Sequence, residues 1–473
     1  MLFNTIDFAI FFPTVLLLYW TVFKKSLSLQ NLFLVVVSYV FYAFWDWRFL
    51  SLIFLSTIVD YSVGLWLGKT NNLSKRKILL GISLIFNLGL LMTFKYFNFF
   101  VETFVDAFAL FGTPLKITSW NILLPVGISF YTFQTMSYTI DLYRKKIEPT
   151  HDIVAFFAFV SFFPQLVAGP IERASHLLPQ FKVKRKFNYN ESVDGLRLIL
   201  GGLFKKMVIA DNCALLVNNI FENYEVNSGS TLFFGAVFFA FQIYGDFSGY
   251  SDIAIGTSRL MGFDLMKNFN YPYLSQNLSE FWRRWHISLS TWFRDYVYIP
   301  LGGSRVSKGR LIVNVFIVFI VSGLWHGANL TFVFWGFIHA LFVIPVILFF
   351  KKETPFAKDK KLPTISQFLK ITTTFFIVVI AWVFFRSENL TMAFSYIGKI
   401  FSSSLFTMPQ IPRSGIFLLF FYMVIEWIQR HRDHVLDIGY INNKWIRYTI
   451  YYLVVFAVFY YAGDLQPFIY FQF

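Results

Sequence analysis

The sequence alternates between long apolar runs and short stretches that carry most of its charged residues. A helix crosses the hydrocarbon core of a bilayer with about 20 residues, and the apolar runs are close to that length. They lie at about 8–23, 30–46, 50–68, 78–96, 121–143, 231–262, 311–326, 331–350, 366–385, 414–428 and 446–462. The pattern therefore predicts an all-α polytopic membrane protein with about eleven transmembrane helices.

Three other segments depart from this pattern. Residues 98–112 are apolar but short and contain two acids, which predicts an interfacial helix. Residues 153–168 are also short and end next to proline and glycine, which is typical of a re-entrant or interfacial segment. Residues 195–222 carry Lys205 and Lys206 in mid-run. Lipid would penalise both charges, so we expect this helix to be buried in protein or to lie near the cytoplasmic surface.

Composition and charge agree with a membrane protein. Hydrophobic residues make up 56% of the chain and charged residues 14%, with a mean hydropathy of +0.57, whereas soluble domains contain about 25% charged residues. The formal net charge is +15, and the basic residues lie in short loops between apolar runs. The positive-inside rule places these loops in the cytoplasm and the N-terminus outside. Nucleic-acid binding is not expected, because no basic domain lies outside the spans.

The chain is predicted to form one integral-membrane domain over residues 1–473, without a soluble domain. We expect N-terminal helices in 1–112, a catalytic core in 113–350 and C-terminal helices in 351–473. No cationic region precedes the first apolar run, so we expect that span to be retained. The one cysteine, Cys213, excludes a disulfide within the chain. Inert packing is its preferred interpretation, with a covalent acyl-cysteine as the alternative.

The first candidate for chemistry is a polar helix face beginning near Asn277. With Glu280 three residues later, this asparagine resembles a capping box and predicts a helix start. On a continuous helix the polar residues that share one face are Arg283, His286, Ser290 and Arg294. Such a face suits an anionic or carbonyl ligand. The alternative is an amphipathic helix with arginines at the lipid headgroups, which for the arginines alone is the better interpretation.

The second candidate is a histidine at the end of an apolar run. Ser322, His326 and Asn329 fall at i, i+4 and i+7 of a predicted helix. Gly323 and Gly327 allow another helix or a thin ligand to approach the backbone. An ionisable residue inside a membrane run is a functional candidate, and the ordinary pKa of imidazole, roughly 6.5, suits a general base. A packed, hydrogen-bonded histidine is an equally good interpretation from these residues alone.

The other histidines and two acids are weaker candidates. We interpret His339 as structural, and expect His151, His176, His431 and His434 to be loop residues, the last two facing water or headgroups. No metal-binding motif is present in the sequence, so no metal site is expected. Asp246 and Asp252 are six residues apart and point roughly 120° away from each other on a helix. They are candidates for substrate binding or for pairing with arginines.

These segments together resemble the membrane-bound O-acyltransferase family, in the branch of alginate O-acetylases and peptidoglycan O-acetyltransferases. The matching stretches are 124–134, 164–172, 246–252, 281–296, 323–328 and 467–473. The resemblance implies a ring of helices around a central tunnel. It also implies that His326 is the catalytic histidine and His286 the second histidine of this branch.

The resemblance further implies a reaction and its participants. An acetyl group would pass from a cytoplasmic donor, acetyl-CoA, to a hydroxyl outside, without a bound cofactor. Arg283, Arg284 and Arg294 would attract the donor's phosphates, with Ser290, Ser322, Asn329, Asp246 and Asp252 as further binding candidates. An extracytoplasmic serine-hydrolase-like protein would receive the acetyl group and pass it to a polysaccharide. The expected location is the bacterial inner membrane, in contact with lipid.

Two other functions and the C-terminus stay open at this point. A glycan-precursor transporter or flippase, or a non-catalytic scaffold of a polysaccharide export complex, would explain the spans but would need neither histidine. The absence of an internal repeat weakens the transporter. The aromatic C-terminus, 468–473, either docks near the tunnel mouth as a relay or plug, or is the end of the last span held by interfacial aromatics.

Overall fold

The computed structural model describes residues 1–110, 122–349, 362–463 and 466–471. Across these ranges the regular structure is helical and no β-strand occurs. Six helical segments are long and apolar enough to cross a bilayer: Leu27–Lys69, Leu73–Val105, Gly229–Leu260, Lys308–His326, Leu330–Phe349 and Ile365–Arg386. The all-α polytopic class is confirmed, while the number of about eleven spans stays a prediction.

The described residues form the following α-helices in chain order. They are α1 Ile6–Thr21, α2 Leu27–Asp46, α3 Leu50–Lys69, α4 Leu73–Leu91, α5 Phe97–Leu110, α6 Ile128–Tyr143, α7 Ile153–Ser161, α8 Phe163–Leu166, α9 Ala174–Leu177, α10 Tyr189–Leu203, α11 Asp211–Glu222, α12 Gly229–Leu260, α13 Leu278–Arg284, α14 Ile287–Phe293, α15 Lys308–His326, α16 Leu330–Phe349, α17 Ile365–Arg386, α18 Leu390–Ile400, α19 Arg413–Gln429 and α20 Lys444–Tyr460. π-Helical segments occur at Met92–Tyr96, Phe204–Ala210 and Arg294–Tyr298.

The segments that depart from simple spans have distinct local structures. Residues 153–168 form the short helices α7 and α8, neither of which is long enough to cross a bilayer. Residues 195–222 contain the end of α10, the π-helical segment Phe204–Ala210 and α11. A π-helical segment also joins α4 to α5, so that one helical segment runs through the boundary at which we predicted a separate interfacial helix.

The described residues group into two compact units. The first consists of Met1–Ser192 and Thr257–Met266, and the second begins with Val193–Gly256 and continues from Lys267. Most of α12 belongs to the second unit, where it is buried along most of its length. The second unit also contains both candidate histidines, so its packing determines the geometry of the candidate site.

A buried polar network joins α3, α4 and α6 in the first unit. Asp60 on α3 accepts hydrogen bonds from the Ser83 hydroxyl at 2.5 Å and the Asn87 amide at 2.8 Å, both on α4. Ser83 also lies 2.9 Å from the Thr139 hydroxyl of α6. Polar groups without water must find partners in protein, and here three apolar helices supply them to one another. The network therefore fixes how these helices pack.

Glycines allow close helix contacts in the second unit. A Cβ added to Gly249 of α12 would lie 2.7 Å from the carbonyl oxygen of Gly202 in α10. At Gly323 of α15, a Cβ would overlap the carbonyl oxygen of Phe332 in α16. Both substitutions would force the backbones apart. The predicted close approach at Gly323 is thus present, and its partner is the helix that follows His326.

Candidate active site

His286 lies at a break between two short helices rather than on one continuous helix. The predicted helix start is confirmed, because the Asn277 side chain accepts a hydrogen bond from the Glu280 N–H at 2.9 Å. The helix then ends at Arg284, and the backbone of His286 is left-handed, with φ 42° and ψ 55°. The predicted single face that joins Arg283, His286, Ser290 and Arg294 is therefore wrong. The break changes the direction of the chain between His286 and the residues that follow it.

A neighbouring strand-like segment holds this break in place. The N–H of Ile287 donates to the Asn268 carbonyl at 2.9 Å, and the N–H of Asn270 donates to the Arg284 carbonyl at 2.9 Å. A left-handed backbone costs a residue with a side chain roughly 1–3 kcal/mol, and it persists where surrounding contacts determine it. The 268–270 segment provides such contacts on both sides of His286. The imidazole is fully buried as a result.

His326 is the last residue of α15, and aromatic rings surround it. The ring centroids of Trp335 and Phe385 each lie 5.1 Å from the imidazole centroid, and that of Trp325 lies 5.0 Å away. The side chain is 4% exposed. Because α15 ends here and Gly327 is extended, the catalytic candidate occupies a helix terminus inside an apolar environment.

The two histidines share the same aromatic neighbours. The Trp325 ring lies 5.9 Å from His286 and 5.0 Å from His326. The Tyr470 ring lies 6.3 Å from His286 and 5.7 Å from His326. Phe247 of α12 also packs on His286, with the two ring centroids 4.6 Å apart. The structure therefore brings the two predicted histidines together, although one lies at a helix break, the other at the end of α15, and they are 40 residues apart.

The C-terminal tail, defined here as residues 466–471, supplies part of this aromatic wall. Phe468 packs on Tyr250 at 4.9 Å and Phe247 at 6.2 Å, and its side chain is 1% exposed. Tyr470 lies against both imidazoles, as described above. Of the two interpretations offered by the sequence, the observed contacts favour docking of the tail in protein over a span end in the interface. Positions 472–473 lie outside the described residues.

The predicted arginines differ in how available they are. Arg284 is buried, and its guanidinium lies 2.7 Å from the Glu280 carboxylate. Arg283 is exposed and donates to the Ser279 hydroxyl at 2.9 Å. Arg294 is also exposed and pairs with the adjacent Asp295 at 2.8 Å. Arg283 and Arg294 therefore keep surface that a ligand can reach, whereas Arg284 is committed to α13.

The predicted hydroxyl and amide candidates lie in separate environments. Ser322 is buried one turn before His326 on α15. Ser290 donates to the Trp285 carbonyl at 3.2 Å. Asn329 lies beyond the end of α15, so the predicted helical face shared with His326 is wrong for this residue. Its amide donates to the Glu388 carbonyl at 2.7 Å, and its side-chain oxygen accepts from the Thr331 N–H.

The two acids of α12 pair with lysines and not with arginines, which corrects that prediction. Asp252 lies 2.8 Å from the Lys205 ammonium, and Asp246 lies 2.8 Å from the Lys206 ammonium. Both lysine side chains are nearly buried. These pairs are consistent with the prediction that the segment over 195–222, which carries both lysines, is buried in protein. Adjacent lysines in an apolar run were the signal in the sequence, but their partners were not foreseeable from spacing.

The remaining histidines have structural surroundings. His339 is buried on α16 and accepts from the Trp282 indole N–H at 3.3 Å, in line with its structural interpretation. His434 is buried and lies 2.9 Å from the Asp194 carboxylate, so its predicted exposure is wrong. His176 lies on α9 and not in a loop as predicted, 2.8 Å from Glu172 and 3.4 Å from Asp264. The Asp264 carboxylate, followed by Glu172, raises the pKa of His176 to about 10.

Within the described ranges, no group of three or more His, Cys, Asp or Glu side chains is arranged to hold a metal ion. The sequence did not indicate which residue of the tail contacts the two histidines, and in the structure it is Tyr470. Its position in an aromatic terminal stretch was visible, but nothing in the spacing placed it beside residues more than 100 positions earlier.

Comparison with known proteins places these features in a wider context. Residues 40–386 match the sequence profile of the MBOAT, membrane-bound O-acyltransferase family. The probable alginate O-acetylase AlgI of Pseudomonas aeruginosa is 40% identical over 416 residues, which cover 86% of this chain and 76% of the relative. The peptidoglycan O-acetyltransferase of Helicobacter pylori is 36% identical over 422 residues, which cover 83% of this chain and 78% of the relative. The teichoic acid D-alanyltransferase of Bacillus subtilis is 30% identical over 284 residues, which cover 57% of this chain and 70% of the relative.

Proposed function

Because the chain belongs to the membrane-bound O-acyltransferase family and is thus a multi-pass acyltransferase of the bacterial inner membrane, we propose that it moves an acetyl group from cytoplasmic acetyl-CoA across the membrane for O-acetylation of an extracytoplasmic polysaccharide. The observation that carries this proposal is the shared aromatic site of His286 and His326. Relatives named as acetylases of alginate and peptidoglycan support acetyl as the transferred group.

His326 acts as the general base in this proposal. Its imidazole takes the proton of the acceptor hydroxyl while the hydroxyl oxygen forms a bond to the thioester carbonyl carbon. The carbon–sulfur bond then breaks, and the proton passes from the imidazolium to the departing thiolate. His286 orients the acyl group or donates a hydrogen bond to the developing oxyanion. The surrounding aromatic rings exclude water, which protects the thioester from hydrolysis.

The donor's phosphates are proposed to meet exposed guanidiniums. Arg283 and Arg294 are exposed, and guanidinium geometry matches phosphate oxygens. Arg284 is expected to contribute indirectly, because its guanidinium already pairs with Glu280 inside α13. Ser322, one turn from His326, and Ser290 are retained as candidates that position the acyl group. Asn329 is expected to hold the start of α16.

We also propose an extracytoplasmic partner of the serine-hydrolase type. It would receive the acetyl group and pass it to the sugar hydroxyls of the polysaccharide, as the resemblance to the alginate O-acetylase branch implies. Purified chain supplied with acetyl-CoA and glycan should therefore acetylate the glycan much more slowly than intact cells do. Equal rates would contradict the need for a partner while leaving the acyltransferase itself in place.

The decisive experiment measures base-releasable acetate on cell-surface glycan in a deletion strain. The strain carries either the wild-type chain, His326→Ala or His339→Phe at matched protein levels. We expect acetate to fall by at least about 100-fold in His326→Ala, because a general base contributes about 100- to 10,000-fold to the rate. His339→Phe is the matched control, since it replaces another buried histidine of the second unit that packs on Trp335 and is separated from His326 by that ring; near-full acetate is expected. Full acetate in His326→Ala would favour a transporter or a scaffold instead.

A further inference from the structure

The C-terminal tail is attached to the second unit through its backbone as well as its rings. The N–H of Ile469 donates to the Asp246 carboxylate at 2.7 Å. The Lys206 ammonium donates to the carbonyl oxygen of Gln466 at 3.2 Å. The two anchoring bonds are three residues apart, and Tyr470 follows directly after the second one. The position of the Tyr470 ring is thus determined by groups on the π-helical segment and α12.

One ion cluster provides both anchors. The Lys206 ammonium lies 2.8 Å from Asp246 Oδ1 and 2.8 Å from Asp211 Oδ1. The other carboxylate oxygen of Asp246 is the one that accepts from Ile469. Each oxygen of Asp246 therefore has a partner within the protein, which leaves this acid engaged in holding the tail. These bonds to Lys206 and Ile469 explain the buried position of the Asp246 carboxylate better than the substrate contact that the sequence suggested.

The adjacent ion pair gives an internal comparison. Lys205 and Asp252 also lie 2.8 Å apart, with side chains 6% and 15% exposed. The Lys205 ammonium lies 5.8 Å from the Tyr244 ring centroid. The two lysines are neighbours in sequence and similar in burial, yet the hydrogen bonds described for the tail involve Lys206 and Asp246. Burying an ion pair contributes little net stability, because desolvation offsets the attraction. The net stability of a buried ion pair therefore does not explain why the Lys206 cluster is present.

We propose that Lys206 and Asp246 are positioning residues for acyl transfer, which hold the tail backbone so that Tyr470 lies against His286 and His326. The expected effect on acetate rests on the proposed function. The attachment of the tail by Lys206 and Asp246 does not. Losing either side chain releases the tail from the second unit. The aromatic wall shared by the two imidazoles then opens on the side of Tyr470.

The attachment is tested by the reactivity of a cysteine in the tail. Ile469→Cys is introduced into a Cys213→Ala background, and membranes are treated with N-ethylmaleimide. In this parent the thiol is expected to react slowly, because Ile469 is 1% exposed. Adding Lys206→Met or Asp246→Ala should speed labelling roughly tenfold, since each removes a side-chain group that bonds to the tail backbone. Adding Lys205→Met, the matched control, should leave the labelling rate within about twofold of the parent.

Cell-surface acetate is measured in parallel with Lys206→Met and Asp246→Ala in the otherwise unchanged chain. We expect a fall of at least about fivefold at matched protein level, as expected for a misplaced active-site wall. Unchanged labelling in both variants, or equally fast labelling in Lys205→Met, would overturn the attachment. Fast labelling with full acetate would overturn the positioning role. Failure of the proposed function is seen separately, as full acetate in His326→Ala, because labelling does not depend on the reaction.

Discussion

The two units place carboxylates in their interiors with different partners. In the first unit, Asp60 accepts from the Ser83 hydroxyl and the Asn87 amide, which are neutral donors on the neighbouring helix. In the second unit, Asp246 pairs with the Lys206 ammonium and also accepts from a backbone N–H of the C-terminal tail. Asp60 and the two groups that donate to it lie on the consecutive helices α3 and α4, at most 27 residues apart. The Asp246 cluster joins positions more than 200 residues apart.

This difference indicates different roles for buried polarity. A buried carboxylate that accepts from neutral donors on a packed neighbouring helix stabilises that packing. The charged cluster of the second unit instead orders a segment that contacts both histidines. We therefore expect changes in the second unit to reduce turnover at normal protein level. Changes in the polar network of the first unit should reduce protein level with turnover per molecule preserved.

The largest effect that tests this contrast is expected at His286. His286→Ala removes an imidazole from the shared aromatic site, and the loss of one oxyanion donor typically costs about 100- to 1,000-fold in rate. Surface acetate at matched protein level should fall by about 100-fold. His286→Asn keeps an N–H donor and tolerates the left-handed backbone better than most residues. It should recover part of the activity if donation is the role of His286.

The comparison of the two His286 variants separates chemistry from backbone strain. Equal activity in Ala and Asn, both low, would indicate that imidazole itself is required. Wild-type acetate in His286→Ala would place this histidine outside the mechanism. It would also contradict the expectation that changes in the second unit reduce turnover.

A smaller and different effect is expected at Asp60. Asp60→Ala leaves the Ser83 hydroxyl and the Asn87 amide without the carboxylate that they contact, at a cost of about 1–3 kcal/mol for each group. The purified protein should unfold at a lower temperature, and its level in membranes should fall. Acetate per molecule should stay within about twofold of wild type. Asp60→Asn keeps one acceptor oxygen and should lose less stability. A drop in acetate per molecule as large as that of His286→Ala would break the contrast.

Much of the architecture was predictable because membrane helices follow from length and hydropathy. The predicted runs at 311–326, 331–350 and 366–385 correspond to α15, α16 and α17 within a few residues. The helix start at Asn277 was also predictable, because its capping side chain acts locally. Local rules such as capping and apolar length do not need knowledge of distant contacts.

The site was less predictable because its geometry depends on distant contacts. Helical spacing placed His286 on the face of a long helix, whereas hydrogen bonds from the 268–270 segment hold a break at that residue. For Asp246 the sequence left substrate binding or pairing with arginines open, whereas an adjacent helical segment provides Lys206. The resemblance to a family pointed to the two histidines and included the C-terminal stretch, but it did not indicate that Tyr470 packs on both imidazoles. These contacts span up to 260 residues, so periodicity cannot reveal them.

The smallest expected effect concerns His176 in the first unit, outside the spans. Asp264 and Glu172 raise its pKa to about 10, above the roughly 6.5 of an unfolded chain. The contribution to stability is therefore complete below about pH 6.5 and is lost as the pH rises through about 10. It should be small, because the imidazole and Asp264 are partly exposed. His176→Gln should lower the apparent unfolding temperature by about 2 °C at pH 6. Near pH 10 the two proteins should unfold alike, and a difference that grows with pH would contradict this assignment. Unchanged acetate per molecule at pH 7 would again separate stability in the first unit from chemistry in the second.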